Sequence, residues 1–313
     1  MKAVVYESYG SPDVLRLVDV ATPIPQHDEV RVKIVATTVT AGDTILRSLR
    51  TRGPRWKRPF ARVRCGVRKP RRPILGMEIA GVIDAVGRDV TRFRVGDAVL
   101  ASTFSVHFGG YAEYKCFPQD GMILKKPAAI PFEQAAAIPD AGTTAIRCLR
   151  KGGIKRGQSV LIYGASGAVG TYAVQIAKHF GAEVTGVCSA ANTELVRSLG
   201  AAHVLDYTRP GFALPERAFN VVFDAVGKLR PALAKQALKH GGTYLNVLTD
   251  SDGPERLEEL DAIVDLIEAG AVHPVIDRCY PLEQISEAHR YVDSGRKKGS
   301  VVVTVSSIPP APD

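Results

Sequence analysis

The sequence predicts an α/β chain of two domains, a partly open β-barrel joined to a doubly wound parallel sheet. Three observations lead there. Short β-branched runs punctuated by glycine fill the chain before Pro127. A strict alternation of apolar strands and helices begins at Ser159. At its head an apolar strand runs straight into a glycine turn and then a helix, Ser159-Val-Leu-Ile-Tyr163-Gly164-Ala-Ser-Gly167-Ala-Val-Gly170. A length of 313 residues fits two domains of about 100–200 residues each. With 45% hydrophobic and 23% charged residues the chain can fill a core, which excludes wholesale disorder.

The barrel strands are expected at Lys2–Tyr6, Val14–Val20, Glu29–Thr37, Glu78–Val86 and Asp97–Thr103, with Gly76, Gly81, Gly87 and Gly96 at the turns. No long helical period occurs in this part, and a small barrel accommodates that. Pro131–Arg150 reads as the first helix. The alternation then places strands at Ser159–Tyr163, Glu183–Val187, His203–Leu205, Val221–Asp224 and Gly242–Val247. Helices fall between and after them at Ala168–Phe180, Thr193–Leu199, Pro231–Leu238 and Pro254–Glu268. Apolar strands alternating with helices make βαβ units, a parallel sheet covered on both faces. The tail, Val275–Tyr280, Leu282–Ser294 and the strand Ser300–Val305, has no partner in that alternation and is expected to return to the first domain.

The start, MKAVVYESYG, lacks the apolar core of a signal peptide, and no apolar run reaches the ~18–20 residues a membrane span needs. A soluble, cytoplasmic protein is expected. Cys65, Cys116, Cys148, Cys188 and Cys279 are isolated, without a C-x-x-C pair, which speaks against a disulfide scaffold or a cysteine-rich zinc lobe.

The formal net charge is +9, and twelve basic residues crowd between Arg47 and Arg72 with no acid between Asp43 and Glu78. Pro54, Pro59, Pro70 and Pro73 argue for a loop, so the expected state is a solvated basic segment, with attraction of an anionic cofactor as a further effect. Trp56 and Phe60 would suit base stacking, but no nucleic-acid module accompanies them, so nucleic acid is not expected as a partner.

The glycine turn carries the chemistry. Glycines at Gly164, Gly167 and Gly170 let the chain turn tightly, approach a ligand and pack the following helix on the strand. The free N–H groups and dipole at the helix start then suit a pyrophosphate. The strand before it, the helix after it and the further βα units give the motif its context. An NAD-preferring site places Asp or Glu at the end of the second strand. Here Cys188-Ser189-Ala190-Ala191-Asn192 follows, with no acid, leaving room for a 2′-phosphate and favouring NADPH. Ser189 and Asn192 also suit helix capping, and the two roles are compatible.

The chain resembles the medium-chain dehydrogenase/reductase superfamily, in particular its zinc-independent quinone-oxidoreductase and enoyl-reductase branch. The resemblance rests on Arg72–Gly87, Val95-Gly96-Asp97, Gly109–Tyr114, Ala135–Pro139 with Gly142–Ala145, the glycine turn, Ser198–Ala201, Asp206-Tyr207, Asp224–Gly227 and Gly295–Val303, and covers nearly the whole chain. It implies a GroES-like catalytic domain over 1–126 and 272–313, a Rossmann nucleotide-binding domain over 127–271, and an active site in the cleft. It also implies hydride transfer from NADPH to a quinone or an α,β-unsaturated carbonyl. An NADP(H)-dependent alcohol or aldehyde oxidoreductase of the same superfamily, and a redox-silent nucleotide binder, are the alternatives.

Zinc alcohol dehydrogenases of this superfamily carry an early Cys and a His-Glu pair. The corresponding positions here are Thr40–Asp43, without Cys, and Met77-Glu78, so two of about three required ligands are missing and no metal is expected. The resemblance places Thr40 and Asp43 on the substrate side, where the branch often has Asn instead of Thr40. Tyr111 is a candidate proton donor or a packing aromatic. For the cofactor it implies Gly164, Ala165, Ser166, Gly167, Ala168, Val169 and Gly170. It adds Thr143 near the nicotinamide, Ser189, Asn192 and Tyr207 around the adenosine phosphate, and Val226. Lys297 or Lys298 of the tail stands in for a lysine that some relatives carry near Asn192. Only Leu248–Gly253 separates the strand Gly242–Val247 from the next helix, shorter than in the resembled proteins, which commonly pair an edge strand from this segment across a dimer. A homodimer is therefore left open.

Overall fold

The computed structural model describes residues 1–49, 62, 63 and 65–306. In chain order the elements are β1 (Lys2–Tyr6), β2 (Leu15–Asp19), β3 (Glu29–Thr38), α1 (Ala41–Ser48), β4 (Glu78–Val86), β5 (Ala98–Ser102), β6 (Tyr114–Pro118), β7 (Ile123–Lys125), α2 (Phe132–Ala135) and α3 (Pro139–Lys151). There follow β8 (Ser159–Tyr163), α4 (Ala168–His179), β9 (Glu183–Cys188), α5 (Thr193–Ser198), β10 (His203–Asp206), β11 (Phe219–Asp224), α6 (Pro231–Ala237), β12 (Leu238–Asn246), α7 (Val247–Asp250) and α8 (Leu257–Glu268). The chain closes with β13 (Ile276–Pro281), α9 (Ile285–Asp293) and β14 (Ser300–Thr304).

Two compact units form, Met1–Asp140 with Ile276–Asp313, and Ala141–Val275. The division falls in the first turn of α3, later than the sequence boundary at 126/127. Residues 127–140 group with the first unit because α2 packs on β3, β4 and β14.

In the first unit seven strands form one sheet in the order β13-β14-β3-β4-β5-β7, with β6 paired to β3. β14 runs antiparallel to β3, so Val302 faces Thr38 and the tail is built into the sheet. The alternation along β3 sends Val30, Val32 and Ile34 to one face, where they meet Ile79, Ile83, Val99, Phe117 and Ile123 in one core. β1 and β2 pair separately, tied on by Val4 N–H to Tyr111 O (2.8 Å) and Tyr6 N–H to Pro73 O (2.9 Å). A second core gathers Val4, Tyr6, Leu75, Tyr111, Ile285, Ala288 and Val303.

Among the first 120 residues no long helix is expected, yet α1 occupies eight residues. The signal is Thr40-x-x-Asp43: the Thr40 hydroxyl accepts from Asp43 N–H while the Asp43 carboxylate accepts from Thr40 N–H, a complete capping box. Arg47, counted above with the solvated basic block, lies on this helix and is only 2% exposed. The aliphatic stem packs and the guanidinium has partners, described below. Arg62, Arg68, Lys69, Arg71 and Arg72 are exposed. Trp56, Phe60, the basic residues of 50–61 and Arg64 lie outside the described residues.

The second unit is a parallel sheet of order β10-β9-β8-β11-β12. Val160, Leu161 and Ile162 of β8 are fully buried, as a central strand covered on both faces requires. The helix expected over Pro131–Arg150 is broken in two, because Pro139 withholds an N–H and steers Ile138 away from helical geometry. The helix expected from Pro254 starts at Leu257. After β12 the chain makes only the short α7 and a loop before α8, so the described sheet ends at β12 with five strands. All five cysteines are free, Cys148 and Cys188 buried and Cys279 exposed. No helix among the described residues is long and apolar enough to cross a membrane.

Candidate active site

The strand order of the second unit reverses between β8 and β11, so the loops after these two strands lie side by side at the switch point where open α/β sheets bind ligands. The loop after β8 is held by its backbone. Gly164 N–H and Ala165 N–H both donate to Val187 O at 3.0 Å, and Gly167 N–H donates to Gly164 O at 3.0 Å. Gly164 has φ +82°, and a Cβ there would meet Val226 Cγ1 at 2.5 Å. A Cβ on Gly170 would strike Gly164 O at 2.1 Å. These two glycines are therefore demanded by the fold itself.

Gly167 differs. A Cβ there would meet only Gly164 O, at an ordinary 3.4 Å, so the fold tolerates a side chain that would fill the space ahead of α4. Gly167 is the N-cap of α4 and offers no side-chain cap, and the first turn holds no acid. The first N–H groups of a helix have no intrahelical acceptor. The cradle a Cβ would fill, faced by these donors and the helix dipole, fits a pyrophosphate. Ala165 and Ser166 are buried, while Ala168 and Val169 border the cradle half-buried.

The adjoining strand ends complete this side. Asn192 Nδ2–H donates to Ser166 Oγ at 3.0 Å, tying the chain after β9 to the glycine loop. Ser189, extended and half-buried, caps nothing with its side chain. Tyr207 is 49% exposed after β10, its N–H on Cys188 O. Asp224 at the end of β11 was missed by sequence reasoning. Its buried carboxylate accepts from Val226, Gly227 and Leu229 N–H at 2.7–3.1 Å and so fixes the loop that carries Val226. Asp-x-x-Gly directly after an apolar strand was the available signal. Thr143 sits one turn into α3, 7% exposed. Lys298 is not part of this unit. It is exposed in the first unit, its N–H on Asp277 Oδ2.

In the first unit Thr40, Asp43 and Tyr111 come together. Asp43 is fully buried beside Tyr111 and accepts from Thr40 N–H (2.9 Å), Thr40 Oγ1–H (2.8 Å) and Gly76 N–H (2.9 Å). Burial pushes its carboxyl above the ordinary aspartate range, and these donors oppose that. Gly76 is required here: at φ +96° it brings its N–H to Asp43, and a Cβ would meet Gly110 and Tyr111 at 2.7 Å. Thr40 Oγ1 also lies 3.3 Å from Met77 Sδ.

Sequence reasoning missed the continuation of this chain. The Tyr111 hydroxyl lies 3.1 Å from His289 Nε2, and His289 Nδ1 lies 3.0 Å from Arg47 Nη1. Arg47 Nη2–H donates to Asp293 Oδ2 at 2.6 Å and Arg47 Nε–H to Gly10 O at 3.2 Å. His289 comes from α9, 242 residues from Arg47, so no local pattern signals it. Burial, with Arg47 adding to it, pushes the His289 pKa down to about 3. An unfolded histidine titrates near 6.5, so between these values the unfolded chain binds the extra proton and stability falls as pH drops. We expect the native protein to lose about 1 kcal/mol more between pH 7 and pH 5.5 than His289→Asn, read by urea unfolding. Equal losses would mean that His289 takes up its proton without unfolding.

Nearby, Glu78 is buried, Oε1 accepting from Thr38 Oγ1–H at 2.5 Å and Oε2 from Asp140 N–H at 2.7 Å. Burial and the neighbouring Asp140 push it up to about 8.

The comparisons with known proteins agree with this geometry. Residues 26–128 match the family described as alcohol dehydrogenase GroES-like domain, and residues 199–303 the one described as zinc-binding dehydrogenase. A 2-methylene-furan-3-one reductase of Solanum lycopersicum is 34% identical over 97% of this chain and 79% of its own. The chain belongs to the medium-chain dehydrogenase/reductase superfamily, in its quinone-oxidoreductase-like branch. Human quinone oxidoreductase is 30% identical over 94% of each chain. The quinone oxidoreductase structure from Coxiella burnetii superposes with a TM-score of 0.81, at 26% identity over 98% of this chain and 99% of the other. The protein is thus a medium-chain oxidoreductase, and the cofactor of such an enzyme is a nicotinamide dinucleotide.

Proposed function

We propose that this protein is a zinc-independent reductase that uses NADPH to deliver hydride to a quinone or an α,β-unsaturated carbonyl. The observation that carries the reading is the contact between Thr40 and Met77. Where zinc-binding members of the superfamily keep metal ligands, a hydroxyl and a thioether face each other at 3.3 Å. Oxidising a simple alcohol passes through a localised alkoxide, which a Lewis acid stabilises. Conjugated acceptors instead spread the incoming charge, and hydrogen-bond donors suffice to hold it. The names of relatives support this: a 2-methylene-furan-3-one reductase, an NADPH-dependent alkenal/one oxidoreductase and quinone oxidoreductases.

The nicotinamide, when bound, supplies the hydride. The chain's own residues do the rest. The α4 N-terminus and the Gly164–Gly170 loop hold the pyrophosphate, with Asn192 fixing Ser166. Ser189 and Asn192, in place of a carboxylate, leave room for the 2′-phosphate, and Tyr207, Val226, Thr143 and Lys298 remain proposed contacts. Thr40 offers its hydroxyl to the acceptor oxygen, Asp43 and Tyr111 support it from behind, and water supplies the second proton. We place the protein in the cytoplasm; a homodimer through the β12 edge stays open, and sedimentation decides it.

Purified protein should oxidise NADPH when given a quinone or enone, faster than it oxidises NADH. NADPH binding without turnover on any acceptor would instead indicate a redox-silent binder. Ser189→Asp should repel the 2′-phosphate and lower the NADPH-to-NADH preference by at least about tenfold, which corresponds to about 1.4 kcal/mol. An unchanged ratio would mean that the end of β9 does not meet the phosphate.

A further inference from the structure

The proposed reaction makes no use of the basic segment, yet its described part is a built loop. Gly66 N–H donates to Arg62 O at 2.8 Å, Arg71 N–H to Cys65 O at 2.9 Å, and the Tyr9 hydroxyl to Gly66 O at 3.0 Å. Gly66 has φ +122°, and a Cβ there would meet Lys69 O at 2.0 Å, so glycine is what lets the chain close on itself here. Five cations, Arg62, Arg68, Lys69, Arg71 and Arg72, are exposed on this loop. None of them forms an ion pair with an acid among the described residues. Arg62 reaches only a carbonyl, Val67 O at 3.5 Å, and Arg72 lies over the Phe108 ring, 5.5 Å from its centre. Among these cations Val63 and Val67 stand 61% and 58% exposed. The bare surface is unfavourable on both counts, since like charges repel and the valines keep apolar area in water.

We propose that this loop docks the protein on an anionic lipid surface, with its cations on the headgroups and Val63 and Val67 at the boundary with the acyl chains. Each Lys or Arg held near such a surface strengthens attachment about fivefold, the ratio to which roughly 1 kcal/mol corresponds. Arginine, four of the five cations here, also grips a phosphate through two oxygens at once. The valines set this partner apart from a nucleic acid. Single strands are held by aromatic faces that stack on bases, and a valine has none. At a bilayer interface an apolar side chain set among cations gains the burial it lacks in water. The attachment is peripheral and reversible, because it rests on charges that salt screens.

Co-sedimentation of the full-length protein with vesicles is the test. Vesicles of equal parts phosphatidylserine and phosphatidylcholine should carry the protein down at low salt and release it at high salt. Vesicles of phosphatidylcholine alone should leave it in solution. The triple variant Arg68→Ser, Lys69→Ser, Arg71→Ser removes three cations whose side chains have no hydrogen-bond partner among the described residues, and keeps the backbone contacts of the loop. It should weaken attachment about a hundredfold. The pair Val63→Ser, Val67→Ser should weaken it several-fold and leave its salt dependence as it was. Both variants should keep the melting temperature and the NADPH affinity of the wild type. Equal binding to the two kinds of vesicle, or attachment that either variant leaves unchanged, would overturn the proposal. So would a triple variant that loses affinity for NADPH instead of for vesicles, or a wild-type protein that binds a single-stranded oligonucleotide more tightly than the anionic vesicles.

Discussion

Gly167→Val should abolish binding of the nicotinamide dinucleotide while leaving the fold intact. The cradle is lined by backbone, and in a pyrophosphate site the contacts come from N–H groups that a ligand reaches only when no side chain stands before them. Gly164 and Gly170 cannot report this, because a Cβ at either collides with the protein itself. At Gly167 the added Cβ finds only an ordinary contact with Gly164 O, and the larger side chain projects into the cradle. We expect at least about a hundredfold loss of affinity, roughly 2.7 kcal/mol, with an unchanged melting temperature. Titration of bound NADPH fluorescence measures the first and calorimetry the second. Retained affinity would place the pyrophosphate elsewhere. A lower melting temperature would show that this glycine, like its two neighbours, serves the turn.

The second large effect is expected at Asp43. Replacing it with asparagine keeps the shape and exchanges one acceptor oxygen for an NH2 group. That group must then face a fixed backbone donor, Gly76 N–H or Thr40 N–H, since each carboxylate oxygen holds one. Two buried donors would confront each other, and the cap of α1 would be broken. Breaking a fully buried set of this kind costs about 3 kcal/mol or more, and we expect that loss in urea unfolding. A loss below about 1 kcal/mol would mean that Asp43 is protonated in the native state, since an amide imitates a neutral carboxyl group well. Titratable groups from other elements face Asp43, among them Tyr6 of β1 and Glu78 of β4, so its ionisation is a property of the whole unit.

The two halves of the site differ in how far the sequence discloses them, for a physical reason. The nucleotide loop is local: strand, turn and helix follow one another within Ser159–His179, and each glycine has a duty that neighbouring residues impose. Ser189 and Asn192, proposed beside the 2′-phosphate, could be placed from the sequence for the same reason, since they follow the end of one strand. Thr40, Asp43 and Tyr111 could be singled out only by resemblance. Their connection to Arg47 and His289 depends on packing α9 against α1 from the far end of the chain, which no local pattern encodes. Arg47 was even misleading in the sequence, since it heads a run of solvated-looking basic residues and is in truth buried. The shortened segment after β12 was visible as a count of residues, and in the structure it corresponds to a sheet that stops at five strands.

The most direct test of the central claim is steady-state oxidation of NADPH by the purified protein with an enone, before and after exhaustive chelation. The account predicts turnover that survives the chelator unchanged and is several-fold slower with NADH. Turnover that vanishes with the chelator and returns with zinc would contradict it, because Thr40 and Met77 would then be bystanders to a metal held elsewhere.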